Sequence, residues 1–220
     1  MAALTGKSAR VKYTAATYST AAAETFTSLS ATTDRTEFRI TDGTKRHWTR
    51  DLPPVILVNS TVHTDFAYNP VQGKLTFGTA LTTAESAQVT GTVYWLAASY
   101  LPWTRSWSAD IDVGMYDITS FSTSATDTTW RVFTDGLLGA NVDLGRIVDD
   151  PTTSTPMWFD RLAVSQDVIV ELSNVASGTT YKWEAYGRVQ SDGYTAGVDA
   201  LQEESVSIQV DGPLYYATTE

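Results

Sequence analysis

The chain has 220 residues, 42% of them hydrophobic, which supports a substantial core and excludes a disordered protein. Its 15 basic and 25 acidic residues give a net charge of −10, which disfavours a protein that grips duplex nucleic acid, because such a protein needs clustered Lys and Arg. Since cysteine is absent, disulfides, thiolate metal sites and cysteine nucleophiles are excluded.

The sequence shows no export or membrane signal. The start, Met1-Ala2-Ala3-Leu4-Thr5-Gly6-Lys7, lacks the apolar core of a signal peptide. No run approaches the roughly 18 apolar residues of a membrane span. We therefore expect a protein that folds in the cytoplasm where it is made and has no membrane partner.

The first part of the chain predicts an arm followed by short strands. Residues 14–34 are rich in Thr, Ala and Ser, which predicts an extended arm or mobile loop around a short strand at 26–29. Phe38 and Ile40 then alternate with polar residues, and Asp42-Gly43 predicts a tight turn. Further strands are predicted at 55–58, 62–69, 74–78 and 86–96, with a turn at Gln72-Gly73.

The middle of the chain predicts one long strand, one helix and one loop. Residues 106–121 alternate apolar and polar side chains, as a strand does. Asp127 suits a helix N-cap, and the apolar residues Trp130, Phe133 and Leu137 recur at helical spacing. This pattern predicts a short helix at 127–138 that lies against a sheet. The Pro- and Thr-rich residues 145–156 predict a flexible loop.

The last part of the chain, from Gln166 to Val210, has the clearest strand pattern. In residues 181–189 the odd positions are apolar or small and the even ones mostly charged, which is the two-residue period of a half-buried strand. Residues 205–210 repeat this alternation, and 199–204 predict one helical turn or a loop. The pattern predicts a sheet with one dry and one polar face.

These elements together predict an all-β protein, a β-sandwich or barrel-like fold with one short flanking α-helix and long loops. Residues 1–104 are expected to form an N-terminal arm and an extra β element that belong to the same domain as the rest. Residues 105–220 are expected to form the main sandwich, with the helix near 127–138.

The chain has no motif that indicates catalysis or metal binding. Asp110-x-Asp112-x-Gly114 lacks the further ligands of a calcium loop, and His47 and His63 have no paired ligand and are interpreted as surface or loop histidines. Gly-x-Ser-x-Gly, dinucleotide-binding and phosphate-loop motifs are absent. The adjacent acids at 149–150 and 203–204 are interpreted as solvated charge, because neighbouring side chains point apart. We predict no catalytic, cofactor-binding or metal-binding residues, no cofactor and no enzyme activity.

The seven Trp and eleven Tyr residues are the remaining candidates for a binding role. Spacing on apolar faces predicts a core role for Trp107, Trp130 and Trp183. Exposed aromatic platforms would indicate sugar binding, whereas aromatics at loop ends suit a subunit interface. The sugar-binding candidates are Tyr94-Trp95, Trp103 with Trp107, and Trp158-Phe159; the interface candidates are Trp48, Trp103, Trp158, Tyr215 and Tyr216.

About half of the sequence resembles the major tail tube proteins of long-tailed, siphovirus-like bacteriophages. The likeness begins at Trp107-Ser108-Ala109-Asp110-Ile111-Asp112-Val113. It continues through residues 117–121, 159–162, 167–172, 181–189 and 203–208. The shared feature is the residue pattern within the strands and the order in which the strands follow one another.

The resemblance implies a tail-tube fold, a β-sandwich flanked by a helix, whose subunits close into hexameric rings that stack into a hollow tube. It implies a virion protein of the tail, assembled in the host bacterial cytoplasm. Its partners would be further copies of the chain, a tape-measure protein, and tail terminator and tip proteins. Phage DNA would pass through the lumen without specific binding. A carbohydrate-binding β-sandwich module and another phage head–tail structural protein remain alternative functions.

Overall fold

The computed structural model describes residues 10–29, 35–117, 133–148, 157–164, 166–176, 179–195 and 202–219. In these residues, thirteen strands connect into one large antiparallel sheet that does not close, accompanied by two short α-helices. The predicted all-β class with a short helix is confirmed.

Six of the twelve pairs of consecutive strands in the described residues are antiparallel partners in the sheet. The strands are β1 Arg10–Ser28, β2 Glu37–Ile40, β3 Val55–Val58, β4 Thr61–His63, β5 Phe66–Asn69, β6 Lys74–Phe77, β7 Val89–Tyr100, β8 Thr104–Asp117, β9 Phe133–Val148, β10 Asp167–Ala176, β11 Thr179–Thr195, β12 Gln202–Val210 and β13 Tyr215–Thr219. The helices are α1 Thr83–Ser86 and α2 Met157–Ala163. Gly43–Lys45 forms a single 3-10 turn.

The sheet runs in the order β4-β3-β7-β1-β10-β11-β12-β9-β8. Strand β1 joins the two halves of the chain, since it pairs with β7 on one side and with β10 on the other. Its end turns away and pairs with β2, which continues the sheet into β6 and β5. One shared domain is therefore compatible with this pairing, and the division at residue 104 stays a prediction.

Three buried apolar clusters occur among the described residues, and the two larger ones hold the sheet together. One lies between the inner face of β9–β12 and α2, where Trp158 is fully buried and its ring lies 5.5 Å from that of Tyr13. The other lies between β1, β3 and β7 on one side and β2 and β6 on the other, around the buried Trp48. Burial of such side chains is the main favourable term in folding.

Local signals in the sequence explain several turns. The Asp42 side chain accepts a hydrogen bond from the Thr44 backbone N–H and begins the 3-10 turn. Thr82 and Glu85 form a reciprocal capping box that begins α1. At the predicted Gln72-Gly73 turn, Gly73 has φ +62°, and a Cβ there would lie 2.7 Å from the Arg46 carbonyl oxygen.

The predicted helix at 127–138 is wrong from residue 133 onward, because β9 begins at Phe133 and pairs with β8 from its first residue. Residues 127–132 lie outside the described residues. Pairing with a long neighbouring strand decides the conformation here over the helical spacing of a few apolar residues. The short α-helix is α2 instead, and it packs its Trp158 against the sheet.

Three predicted loops are strand over part of their length. The arm predicted at 14–34 is strand as far as Ser28, with two register shifts, because β1 pairs with β7 between Thr14 and Thr25 and with β2 from Phe26 to Ser28. The loop predicted at 145–156 is strand over 145–148, and the turn predicted at 199–204 is strand from Gln202. Residues 30–34, 149–156 and 196–201 lie outside the described residues.

Candidate functional site

The outer edge of β8 is the first candidate surface. Strand β8 is 14 residues long and ends the sheet, and its only strand partner among the described residues is β9. An edge strand presents a row of unpaired N–H and C=O groups, and long unprotected edges invite pairing with another chain. This edge is therefore suited to a partner strand.

The end of β8 projects beyond the rest of the sheet. Strand β12 pairs with β9 only from Asn141 to Val148, whereas β8 pairs with β9 as far as Asp117 opposite Phe133. Among the described residues, 133–140 thus pair with β8 alone and form a two-stranded overhang, whereas 141–145 also pair with β12. We call residues 106–117 and 133–145 together the β8–β9 ribbon. Two-stranded ribbons are marginal in water unless a third strand or another surface supports them.

The two faces of the β8–β9 ribbon differ. Asp110, Asp112 and Asp143 lie on one face, are exposed, and have no ion-pair partner among the described residues. Ile111 lies on the opposite face and is 62% exposed, because the ribbon extends past the apolar cluster beneath the sheet. The ribbon therefore offers an acidic face and an exposed apolar side chain.

A row of charged residues crosses the middle of the sheet. Lys12, Glu171 and Glu184 stand opposite one another on β1, β10 and β11, and both carboxylates are buried. Two like charges directly opposite each other destabilise a sheet. Arg46, from the loop after the 3-10 turn, bonds to both carboxylates, and the Lys182 ammonium lies 3.5 Å from Glu171.

These cations control the ionisation of Glu171. Burial alone would raise the pKa of its carboxyl, but the charges of Arg46, Lys182 and Lys12 outweigh burial and lower the pKa. Glu171 is thus held as a carboxylate, which fixes the loop over the sheet.

An open pocket of about 290 Å³ lies over this row. Its walls carry four cations and one carboxylate, and we call it the basic pocket. Arg39 on its rim is exposed and has no ion pair among the described residues. Gly43 forms part of the wall, and a Cβ added there would meet nothing within 4 Å. The lining residues are Lys12, Arg39, Gly43, Arg46, Glu171 and Lys182.

A second buried ion pair joins β9 to β12. Arg146 and Glu204 stand opposite each other and bond through the guanidinium Nε, and the Tyr194 hydroxyl donates to Glu204 at 2.6 Å. Burial raises the pKa of the neighbouring Asp192 carboxyl. The prediction that the acids at 203–204 are both solvated is therefore wrong for Glu204, which is 1% exposed.

Arg161 of α2 is another buried cation. Its guanidinium donates to the Thr14 carbonyl oxygen and lies over the rings of Tyr13 and Trp158. Burial lowers its pKa. Its Nε and Nη1 atoms have no hydrogen-bond partner in the part of the chain that the structure describes. This contact fixes α2 against β1.

The two histidines occupy different surroundings. His47 lies in a loop, as one form of its prediction had it, but it is 3% exposed, so a surface position is wrong, and its Nδ1 lies 2.7 Å from the Val71 carbonyl oxygen. Burial and the nearby Arg46 charge lower its pKa to about 4. His63 is half-buried on β4. No group of three metal-binding side chains occurs in the part of the chain that the structure describes.

The structure separates the predicted aromatic residues. Trp48 and Trp158 are fully buried inside the chain, so their predicted interface or sugar-binding role is wrong, whereas Trp103 is 63% and Tyr216 is 55% exposed. The core role of Trp107 and Trp183 is confirmed: both are partly buried against the main cluster with ring centroids 5.5 Å apart. The remaining candidates are half-buried or lie outside the described residues: Tyr94, Trp95 and Tyr215 are half-buried, and Trp130 and the Phe159 side chain are outside.

Sequence reasoning did not find the basic pocket or the buried charge row. Glu184 and Lys182 occupy even positions of β11, which the alternation assigned to a polar, wet face. The loop that carries Arg46 covers that face.

No helix among the described residues is both long and apolar enough to span a bilayer.

Comparisons with known proteins give structural similarities only. No family model matches the chain, and no curated protein matches it. A chain of the native gene transfer agent virion is 12% identical with a TM-score of 0.41, over 55% of this chain and 88% of that chain. A chain of the empty gene transfer agent tail, which has C6 symmetry, is 13% identical with a TM-score of 0.40, over 55% and 87%. A chain of the six-fold symmetrised anti-feeding prophage baseplate is 11% identical with a TM-score of 0.36, over 56% and 83%. TM-scores this low do not establish a common fold.

Proposed function

We propose that this chain is a structural protein of a phage tail-type particle, and that its copies form hexameric rings that stack into a tail tube. The observation that carries the proposal is the long outer edge of β8, which has no strand partner among the described residues and continues into the overhanging β8–β9 ribbon. The resemblance of the strand pattern in the sequence to tail tube proteins supports a phage tail as the type of particle.

Assembly of several copies would satisfy the backbone groups at the outer edge of β8. A strand or loop of a neighbouring copy that pairs with β8 would satisfy its outer backbone groups and support the ribbon. Because the contact joins different surfaces of the two copies, it closes into a ring when the rotation between copies permits. The same edge left open would instead lead to uncontrolled association.

The charge of the chain fits a conduit. A net charge of −10 repels a polyanion, so phage DNA would pass through the bore without specific binding. The proposal includes a tape-measure protein within the tube and tail terminator and tip proteins at its ends. The assembled protein would reside in the virion tail, after assembly in the host cytoplasm.

Electron microscopy of the concentrated protein, alone and with tail components, tests the proposal. Rings or tubes are expected from the wild-type chain, and persistent monomers under both conditions would contradict it. Ile111→Lys places a charge on the edge strand and should abolish rings, because charged edge residues block strand pairing. Val164→Lys is the matched control, since Val164 is 69% exposed but lies after α2 and away from the edge.

A carbohydrate-binding function is the second candidate. Trp103 and Tyr100 are 63% and 55% exposed at the same β7–β8 turn, which gives two neighbouring aromatic surfaces. Binding to a glycan array that Trp103→Ala abolishes would favour this function, and no binding across the array would remove it.

A further inference from the structure

The surface of the chain carries two strongly charged areas of opposite sign. One is the acidic face of the β8–β9 ribbon. The other surrounds the basic pocket and consists of five cations with one exposed aromatic ring at the rim; we call it the basic patch. Its residues are Arg10, Lys12, Arg39, Arg46, Lys182 and Tyr100.

The basic patch has more positive charge than the fold uses. Three of its five cations share the two buried carboxylates, Glu171 and Glu184. Arg10 and Arg39 are exposed and form no ion pair among the described residues. A concentrated positive excess in a chain of net charge −10 is a feature that an acidic partner can recognise.

The basic patch also has a shape that admits a partner. Its pocket of about 290 Å³ opens beside Gly43. A side chain introduced at Gly43 would have open space around its Cβ, with no contact within 4 Å. At the rim, the Lys12 ammonium lies 4.9 Å and the Arg10 guanidinium 5.8 Å from the centre of the Tyr100 ring. This contact aligns the two long side chains along one strand.

The acidic face of the ribbon has matching spacing. Asp110 and Asp112 are two residues apart on β8, which places them about 7 Å apart along the strand. Arg10 and Lys12 are also two residues apart on β1. Neighbouring strands are about 4.8 Å apart. Asp143 on β9 extends the acidic area sideways by one such spacing, and Lys182 on β11 extends the basic area by two, because β10 lies between β1 and β11.

We propose that the basic patch of one copy receives the acidic face of the β8–β9 ribbon of a second copy. The inference rests on the proposed function, because it names the contact that joins neighbouring subunits. The surplus carboxylates and the surplus cations neutralise each other only between copies, since four strands of the sheet lie between β1, which carries Arg10, and β8, which carries Asp110 and Asp112. A nucleic acid is the less favoured partner, because the acidic chain around the patch repels it.

Charge reversal tests the contact in a form that distinguishes folding from docking. The patch variant is Arg10→Glu/Arg39→Glu, which changes two exposed side chains that have no ion pair to lose. The ribbon variant is Asp110→Arg/Asp112→Arg. Each variant alone should raise the concentration needed for assembly by about a hundredfold or more, because like charges then face each other. An equal mixture of the two should assemble again, since each patch then meets a ribbon of opposite charge.

Two further variants complete the experiment. Gly43→Trp fills the basic pocket from a position that has open space, so it should leave the fold intact and block assembly. Arg35→Glu/Arg188→Glu changes the net charge as much as the patch variant does, on residues outside both the patch and β8, and should leave assembly intact. Circular dichroism confirms that each variant folds.

The outcomes separate this inference from the proposed function. Wild-type chain that never assembles refutes the proposed function itself. Wild-type assembly that the patch, ribbon and Gly43→Trp variants all retain overturns the inference and leaves the proposed function standing. Failure of the mixture to assemble also overturns it, as does binding of a labelled DNA duplex that the patch variant abolishes.

Discussion

His47 makes the stability of the chain depend on pH in a predictable way. It is buried beside Arg46, donates a hydrogen bond to Val71, and has a pKa of about 4 in the folded chain, against 6.5 for an ordinary histidine. Because the folded pKa is the lower one, the unfolded chain binds more protons between these two values. Stability from the neutral ring is therefore complete above about pH 6.5 and is lost as the pH falls towards about 4.

The size of this effect follows from the gap between the two pKa values. At 1.36 kcal/mol for each unit, the gap corresponds to roughly 3 kcal/mol in the free energy of unfolding. The steepest loss is about 1.4 kcal/mol for each pH unit below about pH 6. Most carboxylates titrate below about pH 5, so the window above that value isolates the histidine.

Urea unfolding of the dilute, unassembled chain between about pH 5 and 7 measures the effect. The free energy of unfolding of the wild type should fall with acidification, whereas His47→Gln should show a much flatter dependence whatever its absolute stability. His63→Gln is the control, because His63 is only half-buried, and it should keep the wild-type slope. Equal slopes for wild type and His47→Gln would refute the placement of a neutral, buried His47.

The remaining predictions concern the charge row and the core. Arg46→Met removes the cation between two buried carboxylates and should lower the free energy of unfolding by about 3–5 kcal/mol, measured by urea titration at neutral pH. A loss under about 1 kcal/mol would mean that Arg46 does not stabilise the Glu171 and Glu184 carboxylates in the folded chain. The same titration at acid pH should show that the contribution of Glu171, whose folded pKa is lowered, is present above its unfolded pKa and disappears as the pH falls through the folded value. Trp158→Ala should lower the melting temperature through a void worth about 3–5 kcal/mol, and an unchanged melting temperature would place Trp158 outside the core. Gly73→Ala should destabilise by about 1–3 kcal/mol, because it forces a side chain into a left-handed turn against the Arg46 backbone; a neutral result would contradict that turn.

Alternation of apolar and polar residues was sufficient to predict most strands. It located β2, β8, β11 and β12, and the Asp42-Gly43 and Gln72-Gly73 turns lie where the turn residues predict them. The signal is local, so it identifies an element without its neighbours. The helix predicted at 127–138 was wrong from Phe133 because β9 gains its stability from pairing with β8, which helical spacing does not reveal.

The charged surfaces depend on register, which the sequence does not reveal. Glu171 and Glu184 belong to different strands, and only their pairing places two carboxylates opposite each other. Arg46 lies far from both in the chain, yet its loop covers the polar face of β11 and turns it into a buried face. The acidic residues of β8, in contrast, are polar positions of the alternating strand predicted at 106–121, and Asp110 and Asp112 are exposed there.

Hydrogen–deuterium exchange across β8 tests most directly whether sister copies complete this sheet. In the monomer, the outward amides of Thr104–Asp117 should exchange quickly, because they have no strand partner among the described residues. In assembled rings or tubes, the same amides should become strongly protected. Assembled particles in which these amides still exchange as fast as in the monomer would contradict the account.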